Sequence, residues 1–368
     1  MKIGALLQIA REEWLLGVSV ATSIVFLLFD NILFAEPQGG LWLALVFLWL
    51  FAVMLGSALA VVRHADCLAA RLGEPYGTLI LTLSVTFIEV VSISAVMLHG
   101  ENNPTLVRDT LFAVVMIILN GMVGISLLVG GWRYREQHYN LQGANTYLSV
   151  IIPLAVLSLI LPNYTVTTAG PTLSFTQETF LVLMSMGLYG AFLAIQTGRH
   201  RAYFTLDDGD ADDKHGAPAR PPLSALLLAA YMVPVVFLAK QLAQPIDYLI
   251  ETLRAPAALG GVIIAVLVAT PEALGAVRAA TANRLQRSVN IFLGSVLSTI
   301  GLTVPVMITI SHWTGRSIFL GVQNADLVML LLTLTVSVVT FASGRTNVLQ
   351  GAVHLLLFAA YLLLIFQN

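Results

Sequence analysis

GTLILTLSVTFIE at Gly77–Glu89 and GGVIIAVLVATPE at Gly260–Glu272 are apolar runs that each reach a glutamate twelve residues after a glycine. Extended in both directions, each becomes a stretch of about 20 apolar residues, enough for a helix to cross a hydrocarbon core. Nine more such stretches give eleven predicted spans in all: Leu15–Phe34, Leu41–Val62, Gly77–Leu98, Asp109–Gly131, Thr146–Tyr164, Phe175–Thr197, Leu223–Gln241, Leu259–Ala282, Ser288–Ser311, Val322–Ala342 and Val348–Phe366. Pro153 makes the fifth the weakest. The 368 residues are 58% hydrophobic and 10% charged, with a mean hydropathy of +0.87. A soluble domain carries roughly 25% charged residues, so the expected fold class is an all-α polytopic membrane protein whose main partner is the lipid bilayer. The first span is read as a helix rather than a cleavable leader, because Leu33 stands where a cut after Ala35 needs a small residue.

With the N-terminus in the cytoplasm, alternating loops place 14 of the 18 Lys and Arg inside and 4 outside. That asymmetry predicts an inside N-terminus and an outside C-terminus in a cell (inner) membrane. The most polar break, 198–222, contains Asp207, Asp208, Asp210, Asp212, Asp213 and a Pro-rich stretch, a composition that builds no core. The predicted organisation is a first helix in 1–40, five helices in 41–197, an acidic cytoplasmic linker in 198–222 and five helices in 223–368. Glu89 and Glu272 each lie in the second helix of a set of five. An odd number of spans per copy inverts one copy against the other, so the expected plan is 1+5+5 with two inverted repeats and a site at the midplane. A net charge of −2 points to no nucleic-acid partner, and Cys67 as the single cysteine excludes an internal disulfide.

Of the 20 Asp and Glu residues, only Glu89 and Glu272 fall near the middle of a predicted span. Carboxylates at that depth cost upward of ~2.5 kcal/mol and must face protein, water or a cation; no Lys or Arg falls mid-span to pair with them. Two adjacent carboxylates titrate as a unit and are neutralised either by protons or by one hard cation bound through oxygen. Mutual exclusion of the two occupants is what coupled exchange requires. Thr82, Ser84, Thr86, Ser92 and Ser94 surround Glu89 as further oxygen donors. Pro271 lacks an N–H and predicts a broken helix with the Leu267 carbonyl bare. Asn120, in a Gly-rich helix, and Ser295 and Ser298 add polar atoms from the helix that follows each glutamate. The acidic run Asp207–Asp213 is a solvated linker first and a regulatory Ca²⁺ contact only second, since its spacing fails the EF-hand pattern at positions six and twelve. His354, the one histidine inside a predicted span, is read as a packed interior residue. No Walker A, His-Glu-x-x-His or Gly-x-Ser-x-Gly pattern appears, so neither an ATP-driven pump nor a hydrolase is expected, and no tightly bound cofactor.

The segments GEPYGTLILTLSVTFIEV (Gly73–Val90), RDTLFAVVMIILNGMVG (Arg108–Gly124) and ATPEALGAVRAATANRLQRSVNIFLGSVLSTIGLTVP (Ala269–Pro305) resemble the bacterial ChaA-type Ca²⁺/H⁺ antiporters of the cation/Ca²⁺ exchanger superfamily. The resemblance implies a secondary transporter rather than an enzyme. It would exchange cytoplasmic Ca²⁺, or alternatively Na⁺ or K⁺, for outside protons, with the family's essential glutamates at Glu89 and Glu272 and its small-polar motif at Gly294, Ser295 and Ser298. The superfamily's Gly-Asn pair before each glutamate is replaced by Val85-Thr86 and Val268-Ala269, so backbone carbonyls near Thr86 and Ala269 are expected in place of amide ligands. A homo-oligomer is left open.

Overall fold

Backbone N–H and C=O groups inside a bilayer find no water, so they must bond within their own segment. The computed structural model, which describes residues 11–34, 40–72, 76–99, 103–168, 170–205 and 221–367, meets this demand with helices. They are α1 Trp14–Leu33, α2 Gly40–Leu72, α3 Tyr76–Leu98, α4 Leu106–Tyr134, α5 Leu141–Asn163, α6 Phe175–Arg199, α7 Leu223–Thr252, α8 Ala258–Thr281, α9 Leu285–Thr314, α10 Asn324–Thr340 and α11 Val348–Ile365. Among the described residues nine of these carry stretches long and apolar enough to cross a membrane; α1, apolar over Trp14–Phe29, and α10 are shorter.

Each predicted span meets one helix, and the differences lie at the ends. α2 continues to Leu72, well past the predicted Val62, so His64 is also inside a membrane-length helix and His354 is not alone. α7 runs to Thr252, past the predicted Gln241. α5 begins at Leu141 because Asn140 caps it, its side chain accepting from the N–H groups of Gln142 and Gly143; Pro153 lies within the helix without ending it. Ser174 with Gln177 and Asn347 with Gln350 form capping boxes that start α6 and α11. A two-residue antiparallel ladder, β1 Gln137–His138 with β2 Arg345–Thr346, joins the loop after α4 to the loop before α11. The helix following each glutamate helix contains a π turn, at Ile117–Met122 in α4 and at Thr299–Thr303 in α9.

The chain forms two compact units, and each half of the sequence contributes helices to both. The first comprises Met1–Glu101 and Gly216–Ala255, hence α1, α2, α3 and α7, around Leu50, Met54, Val61, Ile93, Tyr231 and Val235. α1 is fastened to its neighbours by polar contacts: Ser19 and Ser57 share a 2.7 Å hydrogen bond. Glu13 accepts from Tyr231 at 2.9 Å and pairs with Arg63 at 2.5 Å. The second unit comprises Asn102–His215 and Pro256–Asn368, hence α4–α6 and α8–α11. At its edge Arg108 and Asp109 form a buried ion pair at 2.7 Å, with Thr105 donating to Asp109 at 2.9 Å and Arg108 to the Gly321 carbonyl at 3.3 Å. Arg108 is thus a helical residue one position before the predicted start of its span.

The glutamate helix α8 crosses α4 at Gly261, where a Cβ would fall 2.7 Å from both the Asp109 carbonyl carbon and the Thr110 nitrogen. Backbone cannot yield as a side-chain tip does, so Gly261→Ala is expected to lower stability by about 1–3 kcal/mol, read as a fall in melting temperature in detergent. Gly17→Ala in α1, with nothing within 4 Å, is expected to be neutral or to stabilise by up to ~1 kcal/mol.

Candidate cation site

Glu89 stands in the first unit on α3, 1% exposed, in a span, Ile80–Leu98, that contains no Lys or Arg. The hydroxyls around it divide by what they already bond. Ser84 donates to the Ile80 carbonyl at 2.7 Å and Ser92 to the Ile88 carbonyl at 2.6 Å, the back-bond by which a helix absorbs a serine. Thr86, one turn before Glu89 on the same face, is 6% exposed, and its Oγ1 is buried with no hydrogen-bond partner. An unmet buried hydroxyl costs about 1–3 kcal/mol. Thr86 therefore presents an unspent donor and acceptor one turn from the Glu89 carboxylate.

Glu272 stands in the second unit on α8. The helix is continuous from Ala258 to Thr281 with Pro271 inside it, which corrects the expected break. Pro271 still supplies no N–H, so the Leu267 carbonyl lacks its helical donor, while Thr270 donates back to the Val266 carbonyl at 2.5 Å. Ala269, 1% exposed, lies one turn before Glu272. From α9 the Ser295 hydroxyl donates to Glu272 Oε2. Ser298 bonds the Ser295 carbonyl at 2.9 Å, so it braces the backbone that presents Ser295 and does not itself meet the carboxylate.

Asn120 lies in the π turn of α4, fully buried. Its Nδ2 donates to Thr333 Oγ1 at 2.8 Å, and its Oδ1 is 3.4 Å from His354 Nδ1. The other ring nitrogen of His354 is 3.0 Å from Thr340 Oγ1. The amide is thus held in a chain of polar side chains from α4, α10 and α11. His354 is packed as expected, but as a bridge between two hydrogen-bonding groups. Pattern reading missed Thr303, fully buried in the π turn of α9 with an unpartnered Oγ1; its only signal is a hydroxyl within an apolar run. Asp207, Asp208, Asp210, Asp212 and Asp213 lie outside the described residues. Among the described residues no group of three or more His, Cys, Asp and Glu is assembled for a metal, so the available ligands are single carboxylates, hydroxyls and carbonyls, the donors of hard cations.

The profile of the sodium/calcium exchanger protein family matches residues 42–198 and 223–367, on either side of the acidic linker. The sodium-potassium/proton antiporter ChaA of Escherichia coli is 44% identical over 321 residues, 85% of this chain and 86% of that protein. The Ca²⁺/H⁺ antiporter ChaA of Bacillus subtilis is 21% identical over 70% of this chain and 75% of that protein. Among solved structures, native YfkE superposes with a TM-score of 0.75 at 20% identity, covering 96% of this chain and 99% of that one. The chain belongs to the sodium/calcium exchanger protein family and is a multi-pass secondary transporter, not an enzyme.

Proposed function

We propose that this protein exchanges a metal cation for protons, with Glu89 and Glu272 as the groups that carry either occupant. The observation that carries the reading is Glu89, a carboxylate 1% exposed in mid-helix with no basic residue in its span. Such a group is neutralised by a proton or by a cation. The empty, charged form is penalised by upward of ~2.5 kcal/mol per carboxylate at the bilayer centre. That penalty suppresses passage of the unloaded site across the membrane and so couples the two fluxes. The Ser295 hydroxyl stabilises the ionised form of Glu272 by a charge-assisted hydrogen bond and still offers lone pairs to a metal. Thr86, whose hydroxyl has no partner one turn from Glu89, offers a further oxygen to the cation.

Ca²⁺ is the first substrate reading, because two carboxylates balance one divalent ion. Export of Ca²⁺ draws on ~1.4 kcal/mol per pH unit for each proton and on ~2.3 kcal/mol per 100 mV for any net charge moved. Na⁺ or K⁺ is the second reading. It is favoured by the 44% identity to the sodium-potassium/proton antiporter, against 21% to a Ca²⁺/H⁺ antiporter. The 1+5+5 repeat organisation, the inside N-terminus and a cell-membrane location belong to the same proposal.

Purified protein in liposomes with an imposed pH gradient and an internal pH dye tests both readings. Addition of Ca²⁺, Na⁺ or K⁺ should dissipate the gradient, and the ion effective at the lowest concentration is the substrate. Glu89→Gln and Glu272→Gln should each abolish the flux; full activity in the double variant ends the proposal. Ser295→Ala and Thr86→Val remove one oxygen each and should raise the half-saturating cation concentration about tenfold, the equivalent of ~1.4 kcal/mol for a hydrogen bond to a charged group. Ser298→Ala should have a smaller effect. Protons and metal compete, so half-saturation should rise as the pH on the cation-loading side falls; a half-saturation that does not move with pH would separate the two ions onto different sites.

A further inference from the structure

The ends of α4 and α11 enclose a groove that the exchange reaction does not use. Gly131, Trp132 and Arg135 line one side, and Asn347, Val348 and Leu349 the other, around an open volume of about 480 Å³. Gly131 sets its depth, since a Cβ there would fall 2.8 Å from the Val348 nitrogen. α4 ends at Tyr134 and α11 begins at Val348, so both spans stop here, at the level where hydrocarbon gives way to headgroups.

The lining matches that boundary. Trp132 is 83% exposed and Leu349 71% exposed, and bulky apolar side chains at a span end face lipid. The cations nearby are not equivalent. Arg345 pairs with Glu136 at 3.3 Å, and Arg133 lies over the Tyr134 ring at 5.5 Å. Arg135 is exposed and makes no ion pair with another described residue. It also ends α4 with φ +63, in the half of backbone space that glycine enters freely and a residue with a Cβ does not. A glycine would take this backbone with less strain.

We infer that this groove holds an anionic phospholipid, with its phosphate on Arg135 and its upper acyl chain against Trp132 and Leu349. A guanidinium fork matches phosphate oxygens two at a time, and basic pockets between membrane helices take acidic headgroups. The groove lies wholly within the second unit and its occupancy is independent of which cation is exchanged.

The test uses a variant that keeps Trp132 and replaces Trp14, Trp42, Trp49 and Trp313 by Phe. It is reconstituted in phosphatidylcholine vesicles doped with equal amounts of brominated phosphatidylglycerol or brominated phosphatidylcholine. Bromine quenches tryptophan on contact, so the quenching slopes report which lipid sits beside Trp132. The anionic lipid should quench about fivefold more steeply, and Arg135→Gly should bring the two slopes together while its melting temperature stays at or above that of the parent. Arg135→Gln, which keeps a long side chain without the charge, should show the same loss. Equal slopes in the parent, or a preference that survives both substitutions, overturns the assignment.

Discussion

A polar group at lipid depth must find its partner inside the protein, because hydrocarbon supplies none. Everything regular in this structure follows from that demand. Backbone groups are paired within the eleven helices, and hydroxyls on those helices mostly bond back to the preceding turn, as Thr110 does to Leu106 and Ser158 to Leu154. Longer polar side chains reach across helices instead. Glu13 meets Arg63 and Tyr231, Arg108 reaches the Gly321 carbonyl on the segment before α10, and Asn120 meets Thr333 and His354. A half-satisfied network in a low-dielectric interior costs more than an apolar contact, so such groups tie particular helices together with little slack.

Among the described residues the hydroxyls of Thr86, Ser126, Ser185, Thr303 and Ser337 are buried without a partner, and the position of Thr86 sets it apart. Thr86 is buried and unpartnered one turn from a buried carboxylate, although Ser84 and Ser92 on its own helix are back-bonded. Glu272 is met by a single hydroxyl, whereas Asp109 receives both an arginine and a threonine. The Asp109 carboxylate has a guanidinium counter-charge beside it. Glu272 has a neutral hydroxyl, that of Ser295, in the corresponding place.

The burial of Glu89 and the succession of eleven apolar helices among the described residues were legible from order and composition alone. Apolar length and buried charge are properties of single segments, and the energetic penalties behind them do not depend on what packs alongside. Helix ends were less legible: α2 and α7 run past their predicted limits because polar residues such as His64, buried, and Asp247, half-buried, stand inside the helices, where a hydropathy reading counts a stop. The break expected at Pro271 did not occur, since one missing N–H leaves the rest of α8 bonded and the helix continuous from Ala258 to Thr281.

Tertiary structure alone decided which polar side chains are spent and which are free. From sequence, Ser295 and Ser298 were equivalent, yet one reaches Glu272 and the other braces a carbonyl. Asn120 and Thr86 were both candidate ligands, yet the amide is engaged by two other helices and the hydroxyl is not. A hydrogen bond depends on the distance and angle between groups far apart in the chain, and the order of residues does not specify either until the helices have packed.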